Sequence, residues 1–210
     1  MKIVSLITAR GGSKGVPKKN IAKINGYPLI WYTINASQKS KVHETWVSTD
    51  CEEIASVAHD ANAKVINRPK ELSNDTSQSE EALLHFAENI DFDILVFIQP
   101  TSPLLHHYYI NKGLDMMTDY DSVFSVYKEH WLPRWSKNVE PINWHPSFRP
   151  RRQDMDEQYV ENGAFYITTK KRLIESKLRY SGDIGIVEML QSESYQLDNT
   201  DDLKIIEKLI

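Results

Sequence analysis

The sequence predicts an α/β fold, a mainly parallel sheet with helices on both faces, and three observations predict it. From residue 3 to residue 126, short runs rich in β-branched residues alternate with segments of helical periodicity. Several strand runs, DILVFIQ at 93–99 among them, are apolar throughout, which suits strands covered on both sides. Regular strand–helix order in turn calls for right-handed crossovers between parallel neighbours.

The elements follow in order. Residues 3–8 form an apolar strand that feeds ARGGSKGVPKKN at 9–20, a stretch rich in glycine and lysine. A helical pattern at 28–38 precedes a strand at 45–48, a helix at 52–59 and a strand at 64–66. The helix at 79–88, the strand at 94–98, the helix at 107–117 and the strand at 122–126 continue the rhythm. It breaks from Tyr127 to Gln158, where four prolines and three tryptophans stand without periodicity. A structureless loop of that length is uncommon in a compact domain, so 127–158 is expected to be an excursion with its own task. Exposed tryptophans there favour docking on another chain; a lid packed on its own domain is the alternative. Sheet-like sequence resumes at NGAFYIT, 162–168, and a helix is expected over 200–210.

With 210 residues the chain supports one core, and a single domain over 1–210 is expected. A net charge of -4 excludes a broad nucleic-acid surface, so the positive charge at 9–20 marks a local anion site. Cys51 is the only cysteine, which leaves no internal disulfide and points to a reducing cytoplasm. Arg10 and the lysines after it interrupt the first apolar run too early for a signal peptide. No run approaches the roughly 20 apolar residues of a membrane helix.

In open α/β sheets, ligands bind beyond the carboxyl ends of the strands, where 9–20 lies. Gly11 and Gly12 let successive N–H groups turn inward as a nest for phosphate oxygens. Arg10 can fork onto two such oxygens, while Lys14 and Lys19 add compact charge. Neither GxxxxGK[ST] nor GxGxxG is present, so both familiar glycine-loop readings are excluded. The bland alternative is an exposed basic turn.

ARGGSKGVPKKN resembles the signature of the CMP-sugar synthetases, specifically the N-acylneuraminate cytidylyltransferases. Further matches follow in the family's order: VSTD at 47–50, RPKELSNDTSQS at 68–79, QPTSPL at 99–104 and DSVFSV at 121–126. RW at 134–135, RPRRQD at 149–154, ENGAFYI at 161–167 and LDNTDDL at 197–203 complete the series. The RPRRQD and ENGAFY blocks look closest to the sialic-acid branch. The resemblance implies a Rossmann-like nucleotide-diphospho-sugar transferase fold that joins CTP to a nine-carbon α-keto acid sugar with Mg2+. It also implies a homodimer in which the excursion reaches the partner's site.

By the same resemblance, Arg10, Gly11, Gly12, Ser13, Lys14, Lys19 and Asn20 hold CTP, with Arg68 and Ser79 also at the nucleotide. Gln99, Thr101, Ser102 and Tyr166 border the sugar, Arg152 meets its carboxylate, and Arg134 is a basic sugar-site residue. Asp198 binds the metal, and Arg10, Lys19 and Asp198 form the catalytic set. Each has an ordinary counterpart. Asp50 with Glu53 reads as a capping box, and Ser79 as an N-cap. QPTSPL reads as a proline-rich turn, RPRR as a solvated patch, and Asp198 as a cap of the last helix. Gln196 stands where many relatives carry the first carboxylate of a D-x-D pair, which favours one metal over two. Five histidines, His43, His59, His85, His106 and His107, show no metal-ligand spacing. Other nine-carbon keto sugars (legionaminic or pseudaminic acid), Kdo, and a catalytically silent nucleotide binder are the alternatives. Kdo is disfavoured because no carboxylate stands beside Gln99.

Overall fold

The computed structural model describes residues 1–12 and 16–210. In it, β1 (Ile3–Thr8), β4 (Glu44–Thr49), β5 (Lys64–Asn67), β6 (Ile94–Ile98), β7 (Ser122–Glu129), β8 (Gln158–Thr169) and β9 (Ile184–Met189) form one sheet. Its order is β5-β4-β1-β6-β8-β7-β9. A small hairpin, β2 (Lys23–Ile24) with β3 (Tyr27–Pro28), stands apart. The helices are α1 (Leu29–Gln38), α2 (Glu52–Asp60), α3 (Ser79–Asn89), α4 (His107–Met116), α5 (Lys170–Ser176) and α6 (Thr200–Leu209).

Continuous apolarity decides which strands are central. Every residue of β6 is buried, and β1 beside it is buried from Val4 to Ile7. Ile30, Ile34, Ile54, Ala58, Ile110 and Leu114 from α1, α2 and α4 pack in one core layer. Leu83, Phe86, Ala87 and Leu173 from α3 and α5 pack in the other, so helices cover both faces as expected. The β1–β4, β1–β6, β4–β5 and β7–β9 pairings are parallel. β8 runs antiparallel to both neighbours, because the chain returns from the excursion along β7 instead of crossing over a helix.

Element boundaries agree with the sequence reading to within a few residues, but α5, β9 and the hairpin carried no clear signal. In β9, IGIVEM, burial alternates, as befits an edge strand with one face open. The excursion is also shorter than its composition suggests. β7 and β8 stay paired out to Glu129 and Gln158, a two-stranded stem with an irregularity between Phe124 and Val126. Beyond it, residues 130–157 hold isolated bridges, Trp135 to Pro141 and His145 to Phe148, and a short turn of helix at Arg152–Asp154. The expectation of exposed tryptophans needs correction. Trp131 is buried, and Trp144 is half-buried with its ring edge-on to Trp135 at 5.0 Å. Only Trp135 of the three is exposed; Leu132, Val139, Ile142 and Phe148 supply most of the arm's open apolar surface.

Candidate active site

Beyond the carboxyl ends of β1 and β6 lies a cleft of about 460 Å³. Thr8, Arg10, Gly12, Lys19, Asn20, Ser79, Gln99, Pro100, Thr101 and Asp198 line it. A second recess of about 250 Å³ opens beside it, bounded by Thr8, Arg10, Arg68, Leu72, Asn74, Asp75, Ser77, Gln78 and Ser79. Thr8, Arg10 and Ser79 belong to both, so the two form one continuous site.

The described flanks of the first loop are fixed from outside. Ala9 N–H donates to the Ser48 carbonyl (2.9 Å), carrying the β1–β4 pairing one residue further. Gly11 N–H donates to Asp50 Oδ1 at 2.9 Å, and Asn20 Nδ2 donates to the Arg10 carbonyl at 3.0 Å. A Cβ on Gly11 would stand 2.9 Å from Cys51 Cβ, so this position needs glycine for close approach. Asp50 is therefore an anchor of the loop. Its expected capping box does not form: Cys51 is the N-cap of α2, and Glu53 instead binds Lys18 Nζ at 2.7 Å. Arg10 reaches across to the Asn74 carbonyl (2.6 Å) and to Asp75 (3.1 Å). Ser13 and Lys14, expected at the nucleotide, lie outside the described residues.

Arg68 is 8% exposed, and its Nη2 donates to the Ser48 carbonyl at 3.1 Å. Burial pulls its pKa below the usual arginine value while the Asp50 charge opposes that shift. Its Nε is buried and has no partner among the described residues, while the residue itself lines the second recess. Ser79 is the first residue of α3; the N-cap is Gln78, whose side chain makes no capping bond. The N-cap reading of Ser79 is thereby replaced by a place on both recesses.

Across the cleft, Lys19 Nζ lies 3.2 Å from Asp198 Oδ1. The lysine is largely covered and the carboxylate is open. Asp198 does not cap α6: Asn199 does, in a capping box with Asp202. Asp198 contributes only its N–H, to Asp202 Oδ2 at 2.8 Å. It is also the only carboxylate lining the main cleft among the described residues. One open carboxylate beside a phosphate-sized space fits Mg2+, which binds through one or two carboxylates and completes its shell with phosphate and water. Gln196 is turned away: its Nε2 donates to the Asn162 carbonyl, and its Oε1 accepts from Thr101 Oγ1 at 3.4 Å.

Gln99 and Thr101 line the cleft as expected. Ser102 does not. Its N–H closes a turn onto the Gln99 carbonyl (3.3 Å), and the residue is buried with no partner for Oγ among the described residues. Tyr166 is also corrected, from wall to core. It lies in the buried run 164–168 of β8, stacked on Phe97 at 5.6 Å, and its hydroxyl donates to Glu161. Burial and the Glu161 carboxylate push its phenol pKa far up. Arg134 binds Glu129 at 2.6 Å and Arg152 is exposed in its short turn; neither lines the cleft of its own chain. Asp50, Asn74 and Asn162 were missed as supports. Only the glycine after Asn162 hinted at a special backbone there, and it does adopt φ +71°.

Comparisons with known proteins place the chain in a family. A 41% identical relative, N-acylneuraminate cytidylyltransferase A of Danio rerio, aligns over 99% of this chain and 50% of its own length. N-acylneuraminate cytidylyltransferase of Streptococcus agalactiae serotype V is 30% identical, over 96% of this chain and 52% of its own. The chain thus spans about half the length of the curated relatives it matches. Among solved structures, CMP:2-keto-3-deoxy-manno-octonic acid synthetase complexed with CTP superposes with a TM-score of 0.78 at 18% identity, covering 100% of this chain and 98% of that one. The 4-diphosphocytidyl-2C-methyl-D-erythritol synthase of Anaerococcus prevotii gives 0.69 at 11%, covering 99% and 97%. At those identities the likeness is one of fold. The profile of the family described as cytidylyltransferase matches residues 4–209, from the first strand through the last helix, and the chain belongs to that family.

Proposed function

We propose that the protein transfers CMP from CTP to the anomeric hydroxyl of N-acylneuraminic acid, giving CMP-sialic acid and pyrophosphate. The observation that carries this reading is one site bordered by Arg10, Lys19, Asp198 and a buried Arg68 whose Nε is uncommitted. The second recess suits the cytosine base, because the Arg68 guanidinium that lines it is a donor for a carbonyl acceptor. Arg10, the Gly11–Gly12 backbone and Lys19 would then face the phosphates. They would stabilise the negative charge that grows on the α-phosphate and on the departing pyrophosphate. Mg2+ held at Asp198 would neutralise triphosphate charge and orient the leaving group. Gln99 and Thr101 would hold the sugar so that its hydroxyl attacks in line, with positioning supplying much of the rate.

The carboxylate of the sugar calls for a bidentate arginine, and none from residues 130–157 lies in the chain's own cleft. We therefore assign Arg152 and Arg134 to the cleft of a second copy, with 130–157 as the arm that reaches it in a homodimer. The arm's exposed apolar side chains support that role. The rest of the chain is one domain. No helix among the described residues is long and apolar enough to cross a membrane. The unpaired Cys51 suits the cytoplasm.

The test is pyrophosphate release with CTP, Mg2+ and N-acetylneuraminate, run beside legionaminic acid, pseudaminic acid and Kdo, and with UTP, ATP and GTP replacing CTP. Turnover with CTP and N-acetylneuraminate is expected. Turnover with another sugar alone would reassign the substrate. CTP binding without turnover on any sugar would make this a nucleotide-binding protein.

A further inference from the structure

Residues 190–199, between β9 and α6, form a strap that carries Asp198 to the cleft, and a hub on β8 sets its course. Asn162 is buried, and both ends of its amide are committed. Its Oδ1 accepts from Ser125 Oγ (2.6 Å) and Ala164 N–H (3.2 Å), and its Nδ2 donates to Ser194 Oγ on the strap (2.9 Å). Its carbonyl accepts from Gln196 Nε2. The next strap residue, Leu197, donates its N–H to the Thr101 carbonyl at 2.9 Å and is fully buried with Ile24, Leu29 and Ile206. Asp198 follows, opposite Lys19. Beneath the Gln196 amide lies Gly163. A Cβ there would stand 2.6 Å from Gln196 Nε2 and 3.0 Å from Gln99 Oε1, so one missing side chain makes room for both glutamines.

The two ends of Gln196 do opposite work. The amide nitrogen donates to a carbonyl, and the amide oxygen accepts from a hydroxyl. A carboxylate could do only the second, and would face the Asn162 carbonyl with like partial charge. We propose that Gln196 is a positioning residue, holding Asp198 opposite Lys19 through its bond to Asn162, and that a carboxylate at 196 disables the site instead of completing a metal pair. The kinetic part of this inference rests on the cytidylyl-transfer reading.

Gln196→Glu keeps the size of the side chain and exchanges the donor for a carboxylate. Hydrogen exchange of the unliganded protein is measured beside the kinetics, so the inference does not depend on turnover. The Leu197 amide, protected by Thr101, is expected to exchange about tenfold faster in the variant, the loss of roughly one hydrogen bond. kcat is expected to fall about tenfold with the KM for CTP held within about twofold, because the Gly11 end of the first loop is anchored through Asp50. Ser194→Ala removes the second tie to Asn162 and should cost about threefold; combined with Gln196→Ala, the losses should not add, since both act on one strap.

Higher turnover in Gln196→Glu, or tighter Mg2+-dependent CTP binding by calorimetry, would make Gln196 a metal-site residue and overturn the proposal. Unchanged exchange at Leu197 would overturn it equally. If the wild type is silent on every sugar while the exchange response appears, the transfer reading fails and the strap assignment stands. Should Gln196→Glu fail to fold, Gln196→Met, which keeps length without either polar end, tests the positioning role by the same readouts, and unchanged Leu197 exchange in it would overturn the proposal.

Discussion

On the β1 side of the cleft, Gly11 is tied to Asp50, Asn20 to the Arg10 carbonyl, and Arg10 to Asn74 and Asp75. Beyond the β7–β8 stem, by contrast, the hydrogen bonds of residues 130–157 run among themselves or to the stem's own ends. Asn143 holds Leu132 and Arg134, Arg151 holds Asp154, and among the described residues Arg134 to Glu129 and Glu157 to Lys128 and Tyr159 lead back. One region is braced by the sheet; the other keeps its own shape and presents Phe148, Val139, Ile142 and Leu132 outward. A braced loop is ready for a ligand within one chain. The arm is the part that, in the proposed homodimer, would reach the cleft of a second copy.

The largest effects should come from breaking each region at its charged residue. Lys19→Ala is expected to lower kcat about 10²–10³-fold, the usual loss for one charge-stabilising donor. Arg152→Ala should cost about as much through the sugar carboxylate, mainly in kcat/KM for the sugar. Mixing the two inactive variants sharpens the contrast. If the arm works in the partner's site, half of the dimers pair one variant with the other and each has one intact site, so about a quarter of wild-type activity returns. No recovery on mixing would place Arg152 in its own chain's site or outside the chemistry.

A middle-sized effect is expected at the brace. Gly11→Ala forces Cβ against Cys51 Cβ, and should raise the KM for CTP about tenfold at a stability cost of about 1–3 kcal/mol, read by urea denaturation. The same substitution at Gly12, where a Cβ would have open space, should cost little stability. Equal stability losses at the two glycines would remove the argument for close approach.

The smallest effect lies away from both regions, at the β4–β5 side of the sheet. Glu44 accepts from Trp46 Nε1 (2.9 Å) and faces Lys64 (3.1 Å) and Lys2 (3.3 Å). That environment, the Trp46 bond first, holds its pKa down to about 2. Because the folded pKa lies below the unfolded one, its contribution is complete above about 4.5 and is lost as pH falls toward about 2. Glu44→Gln should therefore be less stable than the wild type at neutral pH, with the gap closing across that acid range and with cleft activity at neutral pH unchanged.

How much of this was legible follows from what each feature depends on. β1 and β6 were readable because an unbroken apolar run has few other uses in a chain of this length. The first loop was readable because two adjacent glycines beside arginine and lysine state both a conformation and a charge. β9 was obscured because an edge strand buries only alternate residues, and IGIVEM offers too few to show a period. Asp50 was misread because its local spacing to Glu53 is good, yet a distant N–H outcompetes the helix for its oxygen. Thr101 and Ser102 are chemically alike neighbours; only the turn onto Gln99 decides which faces the cleft and which is buried. Gln196 stood out as a missing carboxylate, whereas its positive role depends on a carbonyl 34 residues away.

The Lys19–Asp198 pair joins positions 179 residues apart, which bears on when the site comes into being. During synthesis the loop after β1 emerges long before its opposing carboxylate, which follows every strand of the sheet. The strap cannot dock until Leu197 reaches the pocket of Ile24, Leu29 and Ile206, and so not before α6 itself is made. A nascent chain can therefore assemble most of its sheet before the cleft has both of its sides. A chain lacking residues 197–206 would keep every strand of the sheet and lose the carboxylate across from Lys19.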